Sequence, residues 1–231
     1  MAPVVTILMP AYNEQESLPG VIAELQAIQP PVDIVVVDNG SEDQTAKVAA
    51  RLGVTTVFEP NRGYGSACLA GIHYLAHRKV PPQVLVICDA DGADDPSDLS
   101  ALTSPILNGE CDLVIGSRTM GTAEDGALTP QARIGNAIAT SLIEQLHGFH
   151  FTDMGPFRAI RFEGLLAMKM EDETWGWNVE MQMKALKTSL RVREVPVHYR
   201  RRSAGTSKIS GSLPGAVRAG ARMLWAVYRY K

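Results

Sequence analysis

The 231-residue chain reads as an α/β protein with a mostly parallel central sheet and helices on both faces. Three observations predict this. Val/Ile/Leu-rich runs recur through the first half without polar alternation, as strands covered on both faces require. Segments with helical spacing of apolar residues separate them, giving a βαβα order. The carboxyl ends of the runs, where such sheets bind ligands, carry carboxylates and glycines.

The expected strands are Val4–Leu8, Asp33–Asp38, Thr55–Phe58, Val84–Asp89 and Asp112–Gly116. Ser17 is placed to cap a helix whose apolar positions are Val21, Ile22, Leu25 and Ile28. Ser41 is placed to cap Glu42–Leu52, with Gly53 just past its end. A third helix covers Ser66–His77, and a fourth follows Pro96, capped by Asp94 and Asp95. Later, Asn178–Lys187 and Leu213–Tyr230 read as helices, the last one amphipathic. Thr119–Thr129 reads as a mobile loop over the ligand side.

Bulk properties exclude several classes. Length and the absence of a repeat or long linker indicate one main domain, residues 1–211, followed by the C-terminal helix, 212–231. Cys68, Cys88 and Cys111 form no metal or disulfide pattern, and with no signal peptide a reducing cytosolic setting fits. No run is apolar and long enough to cross a membrane. Net charge is −3, yet residues 191–231 hold ten Lys or Arg against one acid, so an anion is expected near the C-terminal part. Basic residues without interleaved stacking aromatics argue against nucleic acid.

The chemical signal lies in Val84–Pro96, VLVICDADGADDP, where an apolar strand delivers Asp89 and Asp91 to the ligand edge. Two carboxylates two residues apart can share one hard cation such as Mg²⁺ or Mn²⁺, which also binds a diphosphate. The plainer reading is a pair that caps a turn. Asp38, Asn13 and Glu14 are placed to accept hydrogen bonds from a nucleoside. The segment Asn61–Ala67, with Gly63 and Gly65, offers backbone N–H groups and a helix start to a phosphate. It is neither a dinucleotide fingerprint nor a P-loop, which disfavours hydride transfer and ATP hydrolysis.

Taken in order, PAYNE, VVVDNGSEDQT, NRGYGSA, DADG and VIGSR closely resemble the family 2 glycosyltransferases of the GT-A fold. TDMGPFRAIR, WGWNVEMQMKA, REVPVHYRRR and AGTSKISG resemble the branch of dolichyl- or polyprenyl-phosphate mannosyl- and glucosyltransferases. The match runs from about Val4 to Gly211. This resemblance implies inverting transfer of a hexose from a UDP- or GDP-sugar, with a divalent cation on the diphosphate. It implies that Pro10, Ala11, Tyr12, Glu14 and Asp38 line the nucleoside pocket, and that Asp89, Ala90 and Asp91 form the metal and donor site. It also implies that Arg202 and Lys208 close over the diphosphate. Arg118 and Arg133 would lie near an acceptor phosphate. One departure stands out: position 137 is alanine, where the branch carries a hydroxyl residue.

A phosphate acceptor is already a nucleophile at neutral pH, whereas a hydroxyl acceptor needs a base. Asp153 and Glu180 are the candidates for that base, with an ordinary salt bridge as the plain reading of Glu180. The C-terminal helix either packs on the domain or lies peripherally on an anionic membrane face. The leading expectation is hexose transfer to a polyprenyl phosphate. The alternatives are a soluble hydroxyl acceptor, a nucleotidyltransferase, and a non-catalytic sugar-nucleotide binder. Self-association is left open.

Overall fold

The computed structural model describes residues 4–205 and 213–231. Seven strands form one sheet: β1 (Val5–Ala11), β2 (Asp33–Asp38), β3 (Thr55–Phe58), β4 (Val84–Ile87), β5 (Leu113–Ala123), β6 (Arg158–Arg161) and β7 (Val192–Tyr199), in the order β3-β2-β1-β4-β6-β5-β7. β1 to β4 pair in parallel, as does β5 with β7, while β6 runs antiparallel to both neighbours. The ends of β1, β2 and β4 therefore share one edge.

The apolar runs divide by alternation between two buried clusters. Leu8, Val35, Val37, Leu85 and Ile87 meet α3 (Tyr64–Ala76), α5 (Pro130–His147) and α7 (Trp177–Lys187). Ile7, Met9, Val36, Val84 and Val86 meet α1 (Leu18–Gln26), α2 (Thr45–Arg51) and α4 (Leu99–Leu107). A short α6 (Phe162–Met168) follows β6. The C-terminal helix α8 (Leu213–Tyr230) packs on the domain, with Ala226, Val227 and Tyr230 in the first cluster.

Several expected caps do other work. Ser17 does not cap α1; its hydroxyl lies 2.8 Å from the Ala90 carbonyl and 2.9 Å from a Glu14 carboxylate oxygen. Ser41 accepts from the Asn13 amide instead, at 3.0 Å, and α2 starts only at Thr45, whose amide donates to Asp43. Asp95 does cap, accepting from the Ser97 amide at 2.9 Å. Asp94 turns back and accepts from the Asp89 amide at 3.0 Å, closing the acidic turn. Part of the supposed loop 119–129 is strand: β5 runs on to Ala123, with Thr122 and Ala123 paired to His198 and Tyr199.

Candidate active site

At the ends of β1 and β2, Asp38 is buried and accepts from the Ser41 amide at 3.3 Å. Its neighbour Asn39 holds the next segment in place: its amide nitrogen donates to the carbonyls of Glu59 (3.1 Å) and Asn61 (2.8 Å), and its oxygen accepts from the Gly63 amide (2.8 Å). Arg62, carried on that segment, lies over the Tyr12 ring, 4.2 Å from its centroid, and pairs with Glu42 at 2.6 Å. Pro10 and Ala11 pair with Val37 and Asp38, which sets the register of this wall.

Gly63 and Gly65 have a role other than the expected phosphate cradle. A Cβ on Gly63 would lie 2.1 Å from the Glu173 carbonyl oxygen, and one on Gly65 would lie 1.8 Å from that of Asp172. The Ser66 amide is also taken, donating to Glu173 at 3.0 Å. The glycines admit the protein's own backbone, and the Gly63, Ser66 and Ala67 amides are all taken from within.

The acidic corner follows β4. Asp91 accepts from the Ala93 amide (2.9 Å) and pairs with Arg202 (2.5 Å), whose other nitrogen pairs with Glu14 (2.5 Å). The Ala90 carbonyl receives Ser17, and the Asp91 carbonyl accepts from the Ser203 amide at 2.9 Å. Gly92 turns the chain at φ +79°, with Ser203 Oγ 2.9 Å from where a Cβ would sit. Burial, then the charges of Asp91 and Asp94, push the Asp89 carboxyl well up; burial also raises Asp91, with Arg202 opposing. Asp94 is pushed up to about 7, again chiefly by burial. A buried acidic cluster of this kind is short of positive charge, and oxygen ligands suit a hard cation. Among the described residues no three Asp, Glu, His or Cys side chains converge as a metal site. A cation on Asp89 and Asp91 would thus draw its other ligands from a diphosphate and water. Lys208 lies outside the described residues.

Across β4, Arg118 is held bidentately by Asp153: Nε donates to Oδ2 and Nη2 to Oδ1, both at 2.7 Å, and its own amide also donates to Oδ2 at 2.7 Å. Burial opposes the Arg118 charge, but its bonds to Asp153 outweigh that and raise its pKa. The segment carrying Asp153 is tied down at several points. Glu194 accepts from the Thr152 and Asp153 amides, Asn136 donates to the Thr152 carbonyl at 2.9 Å and accepts from the Met154 amide at 2.7 Å, and Gln182 donates to the Asp153 carbonyl at 3.0 Å. Beneath it, the fully buried Arg158 donates to the carbonyls of Gly155 and Met154, and burial brings its pKa down to about 10. Arg118 and Arg133 share a cavity of about 410 Å³ whose other walls include Leu128, Ala132, Ala137 and Phe151.

Neither expected base is placed as one. Asp153 is fully buried and spends both oxygens on Arg118. Glu180, also fully buried, accepts from the Glu171 (2.8 Å) and Asp172 (2.7 Å) amides and pairs with Lys184 at 2.7 Å. Asn39, Asn136 and Glu194 escaped the sequence reading, because each acts on backbone groups distant in the chain and no local pattern marks it; Arg158 escaped it too, since only the fold buries it against the carbonyls of Met154 and Gly155.

The family model described as "Glycosyl transferase family 2" matches residues 6–167. The chain is 39% identical over 214 residues to an uncharacterised glycosyltransferase of Mycobacterium tuberculosis, covering 92% of this chain and 93% of that one. It is 32% identical over 224 residues to the undecaprenyl-phosphate mannosyltransferase of Micrococcus luteus, covering 91% and 89%. Over 221 residues it is 32% identical to the polyprenol monophosphomannose synthase of Mycolicibacterium smegmatis, covering 89% and 81%. Among solved structures, glucosyl-3-phosphoglycerate synthase of M. tuberculosis, in complex with Mn²⁺, UDP and phosphoglyceric acid, superposes with a TM-score of 0.76 at 18% identity. That match covers 99% of this chain and 78% of the other, and at that identity it establishes the GT-A fold alone.

Proposed function

The chain belongs to glycosyl transferase family 2, and we propose that it moves a hexose, with inversion, from a UDP- or GDP-sugar to a polyprenyl phosphate of the dolichyl or undecaprenyl type. The carrying observation is the cavity beside the acidic corner. Arg118 is fixed there by Asp153, Arg133 shares the space, and Leu128, Ala132, Ala137 and Phe151 supply apolar wall. A cationic end with apolar sides fits an amphiphilic phosphate. The Arg118 charge is also close enough to act on Asp89 and Asp94, so the two halves of the site adjoin.

In this reading Tyr12, Asp38 and Arg62 flank the nucleoside, and Asp89 and Asp91 hold a Mg²⁺ or Mn²⁺ ion. That ion, when bound, offsets charge on the diphosphate. Arg202 bridges Glu14 and Asp91 without donor, and the arriving diphosphate draws it across. Arg118 and Arg133 aim an acceptor phosphate oxygen at the anomeric carbon, on the face opposite the diphosphate. The new C–O bond forms as the old one breaks, and its electron pair leaves with the nucleoside diphosphate. Arg202 meets the charge that develops there. An ionised phosphate needs no base, which agrees with the roles of Asp153 and Glu180.

The names of the Micrococcus and Mycolicibacterium relatives favour the lipid phosphate and a mannosyl donor. The second reading, a soluble acceptor, draws on the phosphoglycerate bound by the structural neighbour. Among the described residues no helix is long and apolar enough to cross a membrane. The exposed Leu224, Trp225 and Tyr228 of α8, with Arg229 against Trp225, would rest on an anionic membrane face. The test is transfer from a panel of UDP- and GDP-hexoses with Mg²⁺ or Mn²⁺, with undecaprenyl phosphate or phosphoglycerate as acceptor. Glycolipid formation that is lost in Asp91→Ala supports the reading. Transfer to the soluble acceptor alone sinks the lipid half.

A further inference from the structure

We propose that Arg222, on the C-terminal helix α8, is a positioning residue for the nucleotide site, acting through the segment 171–176 on the wall that carries Arg62. The inference rests on the nucleotide-sugar reading above. The segment is held from two sides. Glu180 of α7 accepts from the amides of Glu171 (2.8 Å) and Asp172 (2.7 Å). Arg222 donates from Nε to Thr174 Oγ1 (2.7 Å) and from Nη2 to Asp172 Oδ2 (3.2 Å). The fully buried Asp172 carboxylate in turn accepts from the Thr174 amide (2.7 Å) and hydroxyl (2.9 Å).

So fixed, the segment presses its backbone under the start of α3. The Glu173 carbonyl accepts from the Ser66 amide (3.0 Å) and hydroxyl (3.2 Å). The approach is close enough that Gly63 and Gly65 leave no room for a Cβ. From the opposite side Asn39 accepts the Gly63 amide, so residues 62–65 are gripped between Asn39 above and the 172–173 backbone below. Arg62 stands at the edge of that grip, stacked on Tyr12. Gly176 carries the same constraint toward α8: a Cβ there would lie 2.3 Å from Asp172 Oδ2 and 2.9 Å from Ala226 Cβ. The stretch of α8 bearing Arg222 is thus part of the foundation of the nucleoside wall, and Glu180 serves the same wall. A support residue of this kind acts on the affinity of the group it orients and leaves the chemical step alone.

The experiment is calorimetric binding of UDP and GDP, with Mn²⁺, to the full chain and its Arg222→Met, Arg222→Lys and Thr174→Val variants. Steady-state kinetics and melting temperatures are taken on each. Arg222→Met should weaken nucleotide binding about tenfold and raise the donor KM to match. Its kcat and acceptor KM should hold, with Thr174→Val intermediate and Arg222→Lys near wild type. Unchanged nucleotide affinity in Arg222→Met would overturn the proposal, as would an acceptor KM that rises in step with the donor KM. Should Arg222→Met fail to fold, Thr174→Val decides: weaker nucleotide binding supports the proposal and wild-type binding overturns it. If the wild-type chain binds neither nucleotide, the donor reading falls and takes this inference with it.

Discussion

On the side proposed for the nucleotide, Asp38 and Asp91 stand within four residues of the strands that deliver them, β2 and β4. On the side proposed for the acceptor, Arg118 owes its aim to Asp153, 35 residues away, and Asp153 owes its place to Asn136, Gln182 and Glu194 from three further elements. A parallel sheet supplies the first arrangement directly, since each strand end reaches the same edge. The second needs the antiparallel β6 and the helices α5 and α7 to be in place before the guanidinium is oriented. The donor half should therefore fail by losing a ligand atom, and the acceptor half by losing a support.

The largest expected effect is at Asp91. Asp91→Ala removes a carboxylate from the acidic corner and the partner of Arg202, and activity should drop by at least about a hundredfold. Acceptor binding, read by protection of the 410 Å³ cavity from a probe placed at position 137, should persist. Loss of both together would break the division into halves. Asp153→Asn should cost roughly tenfold or more in kcat over acceptor KM, because Arg118 loses its bidentate partner. The donor dissociation constant should not move; if it does, the halves are mechanically one unit.

A smaller effect concerns stability on the acceptor side. Asp112 accepts from Arg191 Nε (2.9 Å) and Nη2 (3.0 Å) and from Arg161 Nε (3.2 Å), tying the starts of β5 and β7 to the end of β6. The Arg191 hydrogen bonds, with help from Arg161, hold its carboxyl well below the ordinary range. A carboxyl lowered in the folded state contributes stability that is whole above its unfolded pKa of about 3.9 and is lost as pH falls below it. Asp112→Asn should therefore melt a few degrees lower from neutral pH down to about pH 5, and the gap should begin to narrow below about pH 4 and shrink progressively as pH falls toward the lowered folded-state value. A gap that does not narrow as the pH falls would locate the effect in packing. The smallest effect is at Tyr228, 67% exposed on α8. Tyr228→Ser should reduce retention on anionic vesicles a few-fold and leave nucleotide binding as it is. Equal retention would remove this face from the membrane reading.

The contrast also explains what could be read in advance. The apolar runs and their order marked β1 to β4 and the start of β5, because strands buried on both faces admit little else. The acidic turn was visible because a strand ending in DADG has few plain uses. Asp94 was misjudged as a cap, since the same residue type serves a helix start or a turn closure and only the fold chooses. Ser17 and Ser41 failed as caps for the same reason: each hydroxyl found a partner across the site, at Ala90 and at Asn13. Gly63 and Gly65 read as part of a phosphate-binding segment, whereas what lies against them is the protein's own backbone at residues 172 and 173. β6 was unreadable because it is short and gains its meaning from pairing antiparallel with β4 and β5.

By itself, then, the order of residues determined the sheet's parallel half, its ligand edge and the carboxylates that stand there. These depend on periodicity and on residues adjacent to a strand end, and both are local properties. Only the tertiary structure decided that Asp153 and Glu180 are supports and that Arg202 rests between Glu14 and Asp91. The same holds for α8, which reaches back through Arg222 to the segment under the start of α3. Each of those outcomes is a competition among partners far apart in the chain, and burial decides it, because a carboxylate taken out of water must be matched by whichever donors the packing brings to it.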